Sequence, residues 1–328
     1  MKNINNKIKL VKKKISLLIP IYNEVQNIED IYSKSRSLFE NKLIQYDYEI
    51  LLLDNNSNDG SVDVCKKIIS DNSKVSYYKL SRNFGFQANI LMGYYNCTGD
   101  CAIAIDADGQ DDPEIINKFV ELWEEGNDVV YGIRGRREEG LIIYLCRKIF
   151  YRILNTFSQI EIPVDAGDFR LIDRNIINLL KQFKEKKVFL RGIIAYLGFK
   201  QIGIKYNRKK RKKGFSKFSV LSYFDFAEEG LISFTKAPLK IITYTGFVLF
   251  ILSIIGIIIY LILFIKGAIV APGFTSMILI MLLFFGLLIF FLGITAMYVG
   301  LILDEVKSRP SFILDETKSR PSFILDDK

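Results

Sequence analysis

Apolar runs of strand length recur through the N-terminal half of the chain, at Ile15–Ile19, Tyr48–Leu53, Val75–Leu80, Cys101–Ile105 and Asp128–Tyr131. Between them lie stretches with helical spacing: Glu24–Phe39, Val62–Ser70, Phe86–Tyr95 and Pro113–Trp123. Strands alternating with helices predict an α/β fold, a mostly parallel sheet with helices on both faces. The near-continuous apolar character of the strands fits burial on both sides. Ligands bind such sheets beyond the carboxyl ends of the strands. That places the candidate chemistry at Tyr22-Asn23-Glu24, Asp54-Asn55-Asn56 and Asp106–Gln110. From about residue 141 to 236 the pattern turns helical and basic.

The pattern then changes abruptly. Neither Ile241–Ile265 nor Met277–Leu301 contains a charged residue. At 1.5 Å per residue each makes a helix of roughly 37 Å, long enough for a hydrocarbon core of about 30 Å. Two such spans joined by "KGAIVAPGF" predict a helical hairpin through a membrane. Lys236 and Lys240 precede the first span and Lys205–Lys217 lie upstream, whereas the linker carries Lys266. The positive-inside rule puts the N-terminal domain and the C-terminal tail in the cytoplasm. The tail repeats itself, "DEVKSRPSFILD" followed by "DETKSRPSFILD" sharing Asp315. Two copies are too few for a solenoid; they fit a duplicated tail, with an oligomer contact as the alternative.

Composition narrows the chemistry. Of 328 residues, 45 are Lys or Arg and 36 Asp or Glu, a net charge of +9 that favours an anionic partner. With no histidine, imidazole is excluded as base, nucleophile or metal ligand. Cys65, Cys97, Cys101 and Cys146 form no CxxC pair, which predicts reduced thiols in a cytosolic domain. The apolar run after the basic N-terminus is short, ends in Pro20 and lacks a small-residue cleavage site; it reads as a first strand rather than a signal peptide.

The densest chemistry lies in "AIAIDADGQDDPE". Asp106 and Asp108 are two apart, so in an extended segment both carboxylates face one side and can share a cation. Oxygen donors suit Mg²⁺ or Mn²⁺, and Mg²⁺ commonly binds one or two carboxylates together with substrate phosphates. Asp111 or Asp112 with Pro113 reads as a helix start, acid at the positive end of the dipole and proline in the first turn. By spacing alone, a plain acidic turn is as good an account.

In order along the chain, "IPIYNE", "LLLDNNSNDGS", "SRNFGFQANILMGY", "IDADGQDDPE", "DAGDFRLIDR", "FLRGIIAYLGF" and "KKGFSKFS…ISFTKAPLK" resemble family 2 glycosyltransferases of the GT-A fold. The resemblance runs from about residue 15 to 310 and is strongest to the polyprenyl-phosphate group, which includes dolichol-phosphate mannosyltransferase and the bactoprenol glucosyltransferases of O-antigen modification. It implies a cytoplasmic GT-A domain over 1–218, juxtamembrane amphipathic helices over 219–240, two transmembrane helices within 241–303 and a tail over 304–328. It implies nucleotide-sugar contacts from Pro20, Tyr22, Glu24, Asp54, Ala107, Gln110, Arg134, Arg211 and Lys217. Asp106, Asp108 and Gln110 would hold Mg²⁺ or Mn²⁺, with Asp106, Asp108 and Asp168 at the chemistry and Arg170 on the acceptor side. The sequence departs from the family pattern at Asn55, where a second Asp is frequent, at Gly109, where Leu is usual, and at Phe215, where Glu is common.

The implied reaction is inverting transfer of a hexose from a nucleotide sugar, of the UDP-glucose or GDP-mannose type, to a polyprenyl phosphate in the cytoplasmic membrane. A phosphate nucleophile is ionised near neutral pH and needs no strong base, which suits a chain without histidine. A processive polysaccharide synthase is disfavoured, because the one tryptophan, Trp123, lies in "ELWEEG" and no QxxRW motif occurs. The DxD pair argues against a non-catalytic nucleotide-binding scaffold. The basic run beside the spans lacks interleaved aromatics, which argues against a nucleic-acid partner.

Overall fold

The central strand, β1 (Lys14–Ile21), is buried over seven of its eight residues. It pairs in parallel with β2 (Asp47–Asp54) on one side and β4 (Cys101–Ala104) on the other. In this computed structural model, residues 12–135, 166–183, 189–209, 237–266 and 273–319 are described. Chain contacts divide them into two compact units, one holding those of Met1–Tyr151, Ile160–Val220 and Pro310–Lys328, the other those of Leu221–Arg309.

In the first unit β3 (Val75–Leu80) extends the sheet in parallel from β2. Beyond β4 lie β6 (Ala166–Asp173), β5 (Val129–Arg134) and β7 (Gln201–Tyr206), and β8 (Leu314–Ser319) covers β3. The full order is β7-β5-β6-β4-β1-β2-β3-β8. Only β6 and β8 run against the others. The mostly parallel α/β expectation therefore holds with two antiparallel insertions. The helical expectation for 141–236 is corrected, because β6 and β7 lie in that stretch.

The helices follow the expected periodicity. In α1 (Ile28–Asn41) the buried face is Ile28, Ile31, Ser35, Leu38 and Phe39, the i, i+3/i+4 stripe of an amphipathic helix. It begins four residues later than the pattern indicates. Glu24 and Asn27 close a turn instead: Asn27 donates from its backbone N to the Glu24 carbonyl (2.9 Å) and from Nδ2 to Glu24 Oε2 (2.7 Å). Helices α2 (Ser61–Asp71) and α3 (Phe86–Asn96) match their predicted spans within a residue. Gly93 lets α3 lie close on the sheet; a Cβ there would fall 2.5 Å from Leu53 Cδ1. A 3₁₀ turn at Pro113–Ile115 leads into α4 (Ile116–Glu124). The short helices α5 (Arg174–Leu180) and α6 (Leu190–Tyr196) follow β6.

The amino-terminal end of the sheet is closed by a polar knot rather than by apolar packing. Glu49 on β2 accepts from Ser16 Oγ (2.6 Å), Thr98 N (2.6 Å) and Thr98 Oγ1 (2.7 Å) and pairs with Lys14 Nζ (2.7 Å). Burial alone would raise its pKa, but the Lys14, Ser16 and Thr98 bonds outweigh that and hold it below the ordinary glutamate value. Cys65, Cys97 and Cys101 are free and buried, as the reduced-thiol expectation requires; Cys146 lies outside the described residues.

The second unit contains two long helices, α7 (Ala237–Ile265) and α8 (Phe274–Val306). Both carry large exposed apolar side chains, among them Phe247, Ile251 and Ile258 on α7 and Phe285, Ile289 and Phe290 on α8. Among the described residues one segment, Phe284–Val306, is long and apolar enough to cross a membrane, which accounts for one of the two predicted crossings. Residues 219–236 of the expected juxtamembrane helices lie outside the described residues.

Candidate active site

The site is built where the strand order reverses. The chain leaves β1 for β2 on one side, while β4 lies on the other, so the β1/β4 junction is the topological switch point. Leu18 O accepts from Ile105 N (3.0 Å), the last rung between the two strands. Pro20, two residues on, faces the same side and has no N–H to offer, so the ladder stops and β4 parts from β1. Tyr22 stands 36% exposed beyond this gap, and Asp106 follows the end of β4.

Two loops frame one wall. Asn23, with φ of 53°, donates from its N to Ser57 Oγ (2.9 Å) and accepts from Asn58 N on Oδ1 (2.8 Å). Glu24 N donates to Ser61 Oγ (3.1 Å) and Val25 N to Asp59 Oδ2 (3.1 Å), so the β1 and β2 loops are tied at four points. Asp54, expected to touch the nucleoside, is 0% exposed. Its Oδ1 accepts from Ser57 N (2.9 Å) and Oγ (2.6 Å), and its Oδ2 from Tyr77 hydroxyl (2.7 Å). Burial, reinforced by Asp54, pushes the Tyr77 hydroxyl pKa up, so it remains a donor. Asp54 thus shapes the loop from within. Asn55 explains its own departure from the family pattern: Oδ1 accepts from Phe84 N (2.9 Å) while Nδ2 donates to Asn83 Oδ1 (2.8 Å), and an ionised Asp has no donor for the second bond.

The opposite wall is the acidic loop. Asp106 and Asp108 are part-exposed and Ala107 between them is buried, the alternation that places both carboxylates on one side. Gly109 turns the chain at φ of +70°, where a larger residue is strained. Gln110 N donates to Asp108 Oδ1 (3.0 Å). Asp112, not Asp111, caps the following turn, accepting from Glu114 N with Pro113 at the first position. Asp111 is 1% exposed and turned inward, where its Oδ1 accepts from Tyr206 hydroxyl (2.5 Å) and Arg208 Nε (3.2 Å). Arg208 Nη2 also lies 2.9 Å from Asp106 Oδ2 and 3.6 Å from Asp108 Oδ2. Burial pulls the Arg208 pKa down, but Asp111, Asp106 and Asp108 outweigh it and the net shift is upward.

The floor comes from β6. Asp168 and Arg170 are 8% and 5% exposed. Arg191 of α6 grips Asp168 with two parallel bonds, Nε to Oδ1 (2.9 Å) and Nη2 to Oδ2 (2.5 Å). Arg170 Nη2 donates to the Gly167 carbonyl (2.8 Å) and stands 4.0 Å from Asp168 Oδ1. Burial draws the Arg170 pKa below its ordinary value, against the pull of Asp168. Arg170 therefore underlies Asp168 instead of facing an acceptor directly; Arg191, part-exposed, is the cation at the surface of the cluster.

Asp106, Asp108 and Gln110 thus share one loop, with Pro20 near the end of the neighbouring β1 and Tyr22 and Glu24 beyond it. Arg134 ends β5, in register with Tyr206. Arg211 and Lys217 lie outside the described residues. Arg208, Arg191, Tyr206 and Tyr77 were not singled out from sequence; the "KYNRKKRKK" run hides Arg208 among surface-type charges. Among the described residues no group of three or more Asp, Glu or Cys side chains is preformed to chelate an ion. The oxygen-only donor set of two carboxylates fits a hard cation that completes its shell with phosphate and water, and the pair already draws a cationic side chain.

The family model for glycosyl transferase family 2 matches residues 16–180. An uncharacterized glycosyltransferase of Bacillus subtilis, YkcC, is 35% identical over 300 residues, 90% of this chain and 92% of the relative. The bactoprenol glucosyl transferase of Shigella phage SfX is 32% identical over 304 residues, 91% of this chain and 98% of its own. Among solved structures, mannosyl-3-phosphoglycerate synthase from Rubrobacter xylanophilus aligns over 66% of this chain and 71% of its own at 20% identity and a TM-score of 0.44, a loose likeness in chain path. With the family model spanning β1 to α5 and relatives matched over nine-tenths of the sequence, the chain belongs to glycosyl transferase family 2 and is a glycosyltransferase.

Proposed function

We propose that the protein moves a hexose from a nucleotide sugar to a membrane polyprenyl phosphate, inverting the anomeric centre, with Mg²⁺ or Mn²⁺ at Asp106, Asp108 and Gln110. The observation that carries this is the carboxylate pair at the β1/β4 switch point, in a chain that matches a bactoprenol glucosyl transferase over nearly the whole of both. Tyr22 and Glu24, on a loop anchored by Ser57 and Ser61, face the nucleoside, with Pro20 holding the crevice open and Asp54 fixing the adjacent loop. Ala107 spaces the two acids. Arg134, Arg211 and Lys217 serve phosphate, and Asp168, oriented by Arg170 and Arg191, lies toward the sugar and acceptor. When bound, the divalent ion supplies Lewis-acid stabilisation of the departing diphosphate. The acceptor phosphate is already anionic, its second pKa lying at about 6, so the chain need only position it.

Strand β8 supports a two-crossing membrane hairpin. It follows both apolar helices in sequence, yet it pairs with β3, which precedes them. Paired strands share a compartment, so the chain between them crosses a bilayer an even number of times. Phe284–Val306 supplies one crossing and α7, uncharged from Ile241 to Ile265, the other.

The test is to incubate purified full-length protein with polyprenyl phosphate, Mg²⁺ or Mn²⁺, and labelled UDP-glucose, GDP-mannose and related donors in parallel, then extract the lipid. Label should enter the organic phase from one donor and vanish in Asp106→Asn. Transfer from no donor sinks the proposal, and full activity in Asp106→Asn sinks the metal assignment.

A further inference from the structure

Arg208 stands where the proposed metal site needs positive charge. Its Nη2 is shared between Asp106 Oδ2 (2.9 Å) and Asp108 Oδ2 (3.6 Å), while its Nε reaches Asp111 Oδ1 (3.2 Å). The loop is fixed in this position by two bonds with Gln110: Lys209 N donates to the Gln110 carbonyl (2.9 Å) and the side-chain Nε2 of Gln110 donates to the Lys209 carbonyl (3.3 Å). A second observation concerns Asp111. It is 1% exposed, and its Oδ2 is a buried oxygen with no hydrogen-bond partner among the described residues. An unpaired buried carboxylate oxygen is costly. It lies on the same carboxylate whose Oδ1 already takes Arg208 Nε, one bond short of the parallel Nε/Nη2 fork that Arg191 makes on Asp168.

We infer that Arg208 is an exchangeable internal cation with two seats: Nη2 on Asp106 and Asp108 when the site lacks a divalent ion, and Nη2 on Asp111 Oδ2 when the ion and diphosphate arrive. This rests on Asp106 and Asp108 being the metal and diphosphate site. A guanidinium and a divalent ion cannot use the same carboxylate oxygens, and their like charges repel. Rotation about the Arg208 side chain surrenders one bond and completes the fork on Asp111, so the exchange conserves hydrogen bonds. In its second seat the guanidinium, anchored by Asp111, whose Oδ1 also accepts from the Tyr206 hydroxyl, turns its outer N–H groups to the diphosphate. Arg208 thereby weakens metal binding before the nucleotide is present and strengthens nucleotide binding afterwards. The ion and donor are thus taken up together.

The experiment measures Mn²⁺ binding calorimetrically to full-length wild type, Arg208→Lys, Arg208→Gln and Asp106→Asn, each alone and with UDP or GDP. Without nucleotide, both Arg208 variants should bind Mn²⁺ more tightly, roughly tenfold if Arg208 holds the site in about nine molecules of ten. Lysine keeps the charge but not the two-point hold of Nε on Asp111 and Nη2 on Asp106 that seats the arginine in the empty site, so its tightening reports occupancy rather than charge. With Mn²⁺ saturating, both variants should bind the nucleotide more weakly than wild type. Unchanged Mn²⁺ affinity in Arg208→Lys overturns the inference, as does nucleotide binding that strengthens in both variants. If wild type binds no Mn²⁺, or Asp106→Asn binds it equally well, the metal site itself is wrong, an outcome separate from failure of the exchange.

Discussion

Exchanging Asp168 for asparagine should unfold the catalytic unit more readily than removing either arginine that faces it. Among the described residues the three side chains form a cluster of one acid and two bases in which Asp168 and Arg170 are buried. Arg191 binds Asp168 through two bonds, and Arg170 stands 4.0 Å away and 5% exposed. Asp168→Asn removes the negative charge that the two guanidinium groups share, and breaking a buried pair in this way costs about 3–5 kcal/mol. Arg191→Ala leaves Asp168 with Arg170 as a counter-ion, so the loss is nearer that of charge-assisted hydrogen bonds, about 1.5–3 kcal/mol. A domain of this size loses about 2–4 °C in melting temperature per kcal/mol, so Asp168→Asn should lower it by roughly 10 °C and Arg191→Ala by roughly half as much. The chain carries its own probe. Trp123 is the sole tryptophan, 8% exposed, and its Nε1 donates to Asp173 Oδ2 (2.8 Å) at the end of the strand that bears Asp168. Its fluorescence in the detergent-solubilised full chain follows the catalytic unit and not the apolar helices. Equal melting temperatures for wild type and Asp168→Asn, or a larger loss in Arg191→Ala, would refute this electrostatic account of the cluster.

Two further outcomes can be read with the same probe. Glu49 is held below the ordinary glutamate pKa in the fold, so its stabilisation is complete above the unfolded value and disappears as pH falls through the lowered one. Melting temperatures measured from pH 7 to pH 3 should therefore fall less steeply in Glu49→Gln, and parallel curves would remove Glu49 from the acid response. Truncation before Pro310 removes the ladder from Ser319 to Leu314 along β3, the Ile313 carbonyl that accepts from Ser81 N (3.0 Å), and the edge contact of Phe312 with Tyr95 (5.8 Å between ring centres). The bared β3 edge should lower the Trp123 melting temperature and promote aggregation, seen by light scattering. An unchanged melting temperature and a monodisperse truncated protein would show that β8 adds nothing.

Much of the fold was legible because strands buried on both faces must be apolar throughout, whatever packs on them. The runs at 48–53, 75–80 and 101–105 and the helices between them fall within about two residues of their structural bounds for this reason. Strand β6 was not legible, because "AGDFRLID" places Asp168 and Arg170 among its apolar residues and so breaks the run. In the interior Asp168 is paired by Arg191, distant in sequence, and Arg170 by the Gly167 carbonyl and Asp168. Strand β8, "LDETKS", has no apolar alternation at all; it is a strand because β3 presents an unpaired edge.

The sequence by itself determined the α/β alternation, the placing of Asp106 and Asp108 beyond a buried strand, and the existence of two uncharged stretches of membrane length. Each is a local property, set by side-chain periodicity and hydropathy over a few consecutive residues. Only the tertiary structure decided that Asp54 and Arg170 turn inward, that Asp111 belongs with Arg208 and not with a helix cap, and that the tail returns to the sheet. Arg208 and Asp106 lie 102 residues apart. Whether a charged side chain is solvated, buried in a pair or poised at a ligand site depends on which distant residue the fold brings to it, and no local pattern carries that information.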